Sequence, residues 1–171
     1  TPACQQIQAV FKTDIAPKNW KCAIVFLLLY DYNQNVEIMS FTALCIPIFD
    51  ESIREYHKTD NVDTPISNPY PFKSIEYYLY LKNWIDTVQW HFEDIIRDPN
   101  IDPAEALVLK RRIDKSNQDR TDLVELIDSY FLDKYKDVKV QADATINTES
   151  PAWAVDRLSI LSLKIYHMQQ E

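Results

Sequence analysis

The 171-residue chain contains no glycine. An average chain of this length would carry about 12. Glycine reaches positive φ at no steric cost, so its absence removes the usual means of building tight turns. Sheets that depend on two-residue primed hairpins are disfavoured, although Asn can replace Gly in some of them. Phosphate-cradling loops of the G-x-x-x-x-G-K type, dinucleotide fingerprints and the G-x-S-x-G nucleophile elbow are excluded outright. Helices joined by polar, proline-containing loops suit such a chain best.

The remaining composition narrows the class further. Hydrophobic residues make up 46%, enough for a real core, and the net charge is −8. An acidic chain of this kind is not expected to bind nucleic acid or anionic lipid, which carry like charge. Cys4, Cys22 and Cys45 are widely separated, with no C-x-x-C pair. That spacing gives neither a disulfide framework nor a zinc knuckle, and a cytoplasmic location is the expectation. The longest apolar run, Cys22 to Tyr30, has nine residues. A membrane span needs about 20. No small-residue cleavage site follows it, and no targeting segment or membrane span is expected.

Residues 1–38 are rich in Asn, Gln and Lys and lack an amphipathic period. Two readings stand. Either Met39 is the natural start and 1–38 is not native to the domain, or 1–38 is a true extension whose run 22–30 packs on it. In both, 39–171 forms a single helical domain.

From Ser40 onward the spacing predicts helices over 40–57, 74–98, 103–136 and 150–168, in an all-α bundle of four or five. Phe41, Leu44, Cys45, Ile48, Phe49, Ile53 and Tyr56 recur at helical intervals. Pro47 lies among them and should kink the helix or reset its start. Pro99 stops the second helix. Asp102, Pro103 and Glu105 make a strong start signal for the third. Ser116 to Asp119 is its weakest helix-forming stretch, and a break there competes with one continuous helix. Ser150 and Pro151 open the last helix. Two long loops with Pro, Asn and Asp fill 58–74 and 137–149.

The third helix carries an anomaly. Its stripe of Ala106, Leu109, Ile113, Val124, Ile127 and Phe131 passes through Asn117 and Arg120. A guanidinium on the core side needs carboxylate partners. On the second helix, Asn83, Thr87, His91 and Asp94 form one row. On the last, Asp156 and Arg157 stand near the start. His91, Asp94, Asn117, Arg120, Asp156 and Arg157 are therefore the ligand-binding candidates, with Arg120 as hub and Asp94 and Asp156 as its expected partners. The competing view makes the cluster purely structural, a device that fixes helix register.

Metal and cofactor chemistry is not expected. A di-iron bundle uses paired Glu-x-x-His motifs, and none of the three histidines has an acid three positions before it. His57 and His167 read as helix-end residues. No nucleophile set is recognisable. Tyr77, Tyr78 and Tyr80 lack the neighbouring basic residues of a nucleic-acid stacking platform.

Several segments resemble a known family. They are Lys82-Asn83-Trp84-Ile85-Asp86-Thr87-Val88-Gln89-Trp90-His91-Phe92-Glu93-Asp94, then Lys110-Arg111-Arg112-Ile113-Asp114 with Asn117, Gln118 and Arg120. The last is Thr148 to Trp153 with Asp156-Arg157-Leu158-Ser159 and Tyr166-His167-Met168. They are similar to the bacterial domain of unknown function 4254 family over about residues 39–171. The resemblance implies an all-helical fold and an association with glycosyltransferases of surface-polysaccharide assembly. It supplies no catalytic residues. Two functions stay open: a protein that binds or processes a small molecule or glycan precursor, or an accessory module for a partner enzyme.

Overall fold

Each of the first three helices begins where a side chain takes up a free backbone N–H. Ser40 accepts from the N–H of Ala43, Ser74 from that of Tyr77, and Asp102 from those of Ala104 and Glu105. Such caps each contribute about 1 kcal/mol. In this computed structural model, which describes residues 40–141 and 143–170, the helices are α1 (Phe41–Tyr56), α2 (Ile75–Ile96), α3 (Pro103–Lys134) and α4 (Pro151–Gln170). There is no strand among the described residues. The sequence boundaries hold to within two residues. The expectations concerning 1–38 and Met39 lie outside the described residues.

Pro47 does not reset the start of α1, which continues through it. α3 runs unbroken across Ser116 to Asp119 for 32 residues, about 48 Å. Its start, Pro103 at the first position behind Asp102, matches the sequence signal. α4 has a partner the sequence did not reveal. The N–H of Ala152 donates to Asp128 Oδ1, on α3, 24 residues earlier.

The main core joins all four helices. Cys45, Phe49 and Tyr56 from α1 meet Leu79, Tyr80 and Trp84 from α2. Val124, Ile127 and Phe131 from α3 and Val155 and Leu158 from α4 complete it. A side chain such as Ile127 or Phe131, almost wholly buried, contributes about 1.5–3 kcal/mol. A smaller cluster of Phe92, Leu109 and Ile113, with Val62, Ile96 and Ile101 packed on it, closes the other end of the α2–α3 pair.

Candidate functional site

The predicted polar residues fall into two separate places. The first is a charged cluster between α2, α3 and α4. Arg120 Nε donates to Asp86 Oδ1 at 2.6 Å, and its terminal nitrogen reaches Asp156 Oδ1 at 3.4 Å. Lys82, fully buried, lies 2.5 Å from Asp86 Oδ2 and 2.7 Å from Asp156 Oδ1. Ser159 Oγ donates to Asp86 Oδ2 at 2.6 Å and accepts from Asn83 Nδ2 at 3.0 Å. Asn117 stands at the edge, accepting from Gln89 Nε2 at 2.9 Å.

Arg120 is thus a core-side guanidinium paired with carboxylates, as its stripe requires. Asp156 is one partner. Asp94 is not: it lies on another face of α2, exposed, and pairs with Arg97. The main partner is Asp86, which the sequence row omitted. Lys82 and Asp86 are four apart on α2, and both are buried. Arg157 also stands outside the cluster, exposed and paired with Glu149. Two cations and two carboxylates cancel, and each is held by the others. The arrangement has the character of a register-fixing lock.

The second place is where His91 goes. His57 caps the C-terminus of α1, His91 is on α2, and His167 is in the last turn of α4. One ring nitrogen from each lies within 4.8 Å of the other two. His91 Nε2 and His57 Nε2 are 3.3 Å apart. His57 Nδ1 is 2.7 Å from the carbonyl oxygen of Ile53, which only accepts. That bond assigns the proton to Nδ1 and leaves the Nε2 lone pair facing the other rings. His167 Nε2 is buried without a hydrogen-bond partner.

Aromatic side chains clamp the imidazoles. Trp90 stacks on His167 with centroids 4.8 Å apart, Tyr56 on His91 at 5.0 Å, and Tyr166 tilts against His57 at 4.5 Å. Burial holds His91 below its ordinary pKa against the pull of Asp60, and His57 adds to the depression. Burial lowers His167 too, reinforced by His57 and His91. Both rings therefore favour the neutral form.

Carboxylates stand at the rim. Asp60 Oδ1 is 3.6 Å from His91 Nε2. Asp60 has φ 48°, the left-handed region, and its N–H closes the end of α1 on the carbonyl of Tyr56. A glycine would usually occupy such a helix end, and Asp is among the residues that tolerate it. Asp94 also acts on both His91 and His167. Of the residues chosen from spacing, His91 lies in the imidazole cluster, whereas Asn117, Arg120 and Asp156 belong to the lock.

A family model described as "Protein of unknown function (DUF4254)" matches residues 76–171, more than half of the chain. The chain belongs to this family. No curated protein and no solved structure matches it. The DUF4254 match takes in the whole charged lock together with His91, Asp94 and His167. His57 and Asp60 precede it, so the segment before the matched DUF4254 region completes the imidazole cluster.

The expectation of no metal rested on spacing within single helices. The three ring nitrogens that meet here come from three helices, which that test cannot see. His57 and His167 do lie at helix ends, as read from the sequence. The ends of those helices are what bring them to His91.

Proposed function

We propose that this protein binds a divalent transition-metal ion through His57, His91 and His167, and that the ion holds a small ligand at its open position. The observation that carries the reading is the meeting of three ring nitrogens, one of them oriented by a backbone carbonyl. Two nitrogens each about 2.05 Å from a tetrahedral ion stand roughly 3.3 Å apart. His57 and His91 have that separation. His167 needs a small inward shift, and its Nε2 has no other bond to give up.

Electrostatics supports the same reading. The C-terminal ends of α1 and α4 carry partial negative charge and favour a cation. The carboxylate of Asp60, 3.6 Å from His91 Nε2, adds negative charge at the rim. Three imidazoles with an exchangeable fourth position is the ligand count of catalytic rather than closed structural zinc. Of the two functions left open by the sequence, this keeps the small-ligand one and moves it from Arg120 to His91.

Tag-free, metal-stripped protein titrated with Co²⁺ tests the proposal. One equivalent should produce visible d–d bands of a four- or five-coordinate site, and Zn²⁺ should displace them. His91→Ala and His167→Ala should abolish the bands while the circular dichroism stays helical. Bands that persist in both variants, or their absence from the unaltered protein, would overturn the reading.

A further inference from the structure

An open cavity lies about one turn of α2 beyond the imidazole cluster, whose own residues do not line it. His91 and Ile95 are one turn apart on the same face of α2. Ile95, exposed at 45%, lines an open cavity of about 690 Å³ together with Val62, Ile101, Val108 and Leu109. Its size is that of a small-molecule site. Val108 is more exposed still, at 59%. The short segment 60–63 serves both places. Asp60 faces His91, Val62 lines the cavity, and Asp63 pairs with Arg112, which lines the cavity and lies over the Phe92 ring.

Resting on the metal reading above, we propose that the ligand is a small amphiphile: an oxygen-bearing head on the ion and an apolar tail in this cavity. The rise of α2 sets the length. Four residues from His91 to Ile95 span about 6 Å, and the Asp98 level lies about 10 Å away. A tail of roughly five to eight carbons covers that distance. The charges of the lining say how the tail ends. Asp98, Asp102 and Glu105 outnumber Arg112, which Asp63 already holds. A second anionic group at the far end would be repelled, so the tail is uncharged or ends in a cation.

Hydroxamates supply a metal-binding head with tails of chosen length. The full chain, loaded with Co²⁺, is titrated with acetohydroxamate and with octanohydroxamate, and the d–d bands report binding. Both should perturb the bands. The longer compound should bind at least about tenfold more tightly, since each fully buried methylene is worth roughly fourfold. Val108→Asp lies on an exposed helical face, so it should fold. It should erase the advantage of the long tail and leave acetohydroxamate unchanged. Equal affinities, or an advantage that survives Val108→Asp, would overturn the amphiphile while leaving the metal reading intact; bands that ignore acetohydroxamate would overturn it together with the open position on the ion. Failure of Co²⁺ to bind at all would remove both.

Discussion

Arg120 Nε stands 2.6 Å from Asp86 Oδ1, although the two are 34 residues apart. The other oxygen of Asp86 takes the Lys82 ammonium and the Ser159 hydroxyl. α2, α3 and α4 are pinned together at one level by this neutral group of four charges. Lys82 touches both carboxylates and is fully buried, so it is the member the cluster can least spare. Lys82→Met removes a charge and leaves two carboxylates sharing one guanidinium. The expected loss is about 3–5 kcal/mol in urea denaturation. A loss below about 1 kcal/mol would show that the carboxylates find other partners.

Arg120→Ala should cost less than Lys82→Met. Asp86 keeps Lys82 and Ser159, and the Arg120 side chain is 23% exposed. What is lost is one short charge-assisted bond and one longer one, worth about 2–3 kcal/mol together. Arg120→Lys should recover only part, because an ammonium cannot meet Asp86 and Asp156 with a planar fork. A cost within about 0.5 kcal/mol for Arg120→Ala would place Arg120 among ordinary surface residues.

The fold was legible because its signals are local. Ser40, Ser74, Asp102 and Pro151 mark helix starts within a few residues of the apolar periods they introduce. Arg120 was legible as a core-side charge because period alone fixes its face. Its partner was not. Register between α2 and α3 depends on how Phe92, Leu109 and Ile113 pack, and the sequence does not state that packing. Choosing Asp94 over Asp86 is an error of two turns along α2. The imidazole cluster was hidden for a related reason. Spacing arguments find ligands on one helix, whereas His57, His91 and His167 are joined by the crossing of three. The available clue was that two of the three histidines sit at helix C-termini, where a cation is favoured.

Pro47 gives a prediction of opposite sign. It lies inside α1 with its side chain exposed, so the Ala43 carbonyl lacks the N–H it would otherwise receive. Proline in a helix interior costs about 3 kcal/mol relative to alanine. Alanine also gives back some freedom to the unfolded chain, which offsets about 1 kcal/mol of the gain. Pro47→Ala should therefore stabilise the protein by about 1–2 kcal/mol, seen as a higher Tm. A lower Tm would mean that α1 needs the proline's geometry to bring Phe49 and Tyr56 into the core.

Asp128 ties stability to pH. Its carboxylate receives the Ala152 N–H at the start of α4. Burial pushes its pKa above the ordinary 3.8, and the bonds it accepts at that helix end offset this only in part. The folded state therefore holds the proton to higher pH than the unfolded state does. For such a group, stability is fully present below the unfolded pKa and is lost as pH rises through the folded one. Asp128→Asn keeps an acceptor for Ala152 and cannot ionise. As pH falls from 7 towards 3.8, the unaltered protein should gain stability relative to Asp128→Asn, with no further relative change below 3.8. Asp128→Ala should lie about 1 kcal/mol below Asp128→Asn throughout, the usual worth of a helix-capping bond. Denaturation curves for the three proteins at several pH values separate these effects. A gap between the unaltered protein and Asp128→Asn that stays constant, or widens against the unaltered protein as pH falls, would show that the Ala152 N–H and the helix end outweigh burial at this carboxylate.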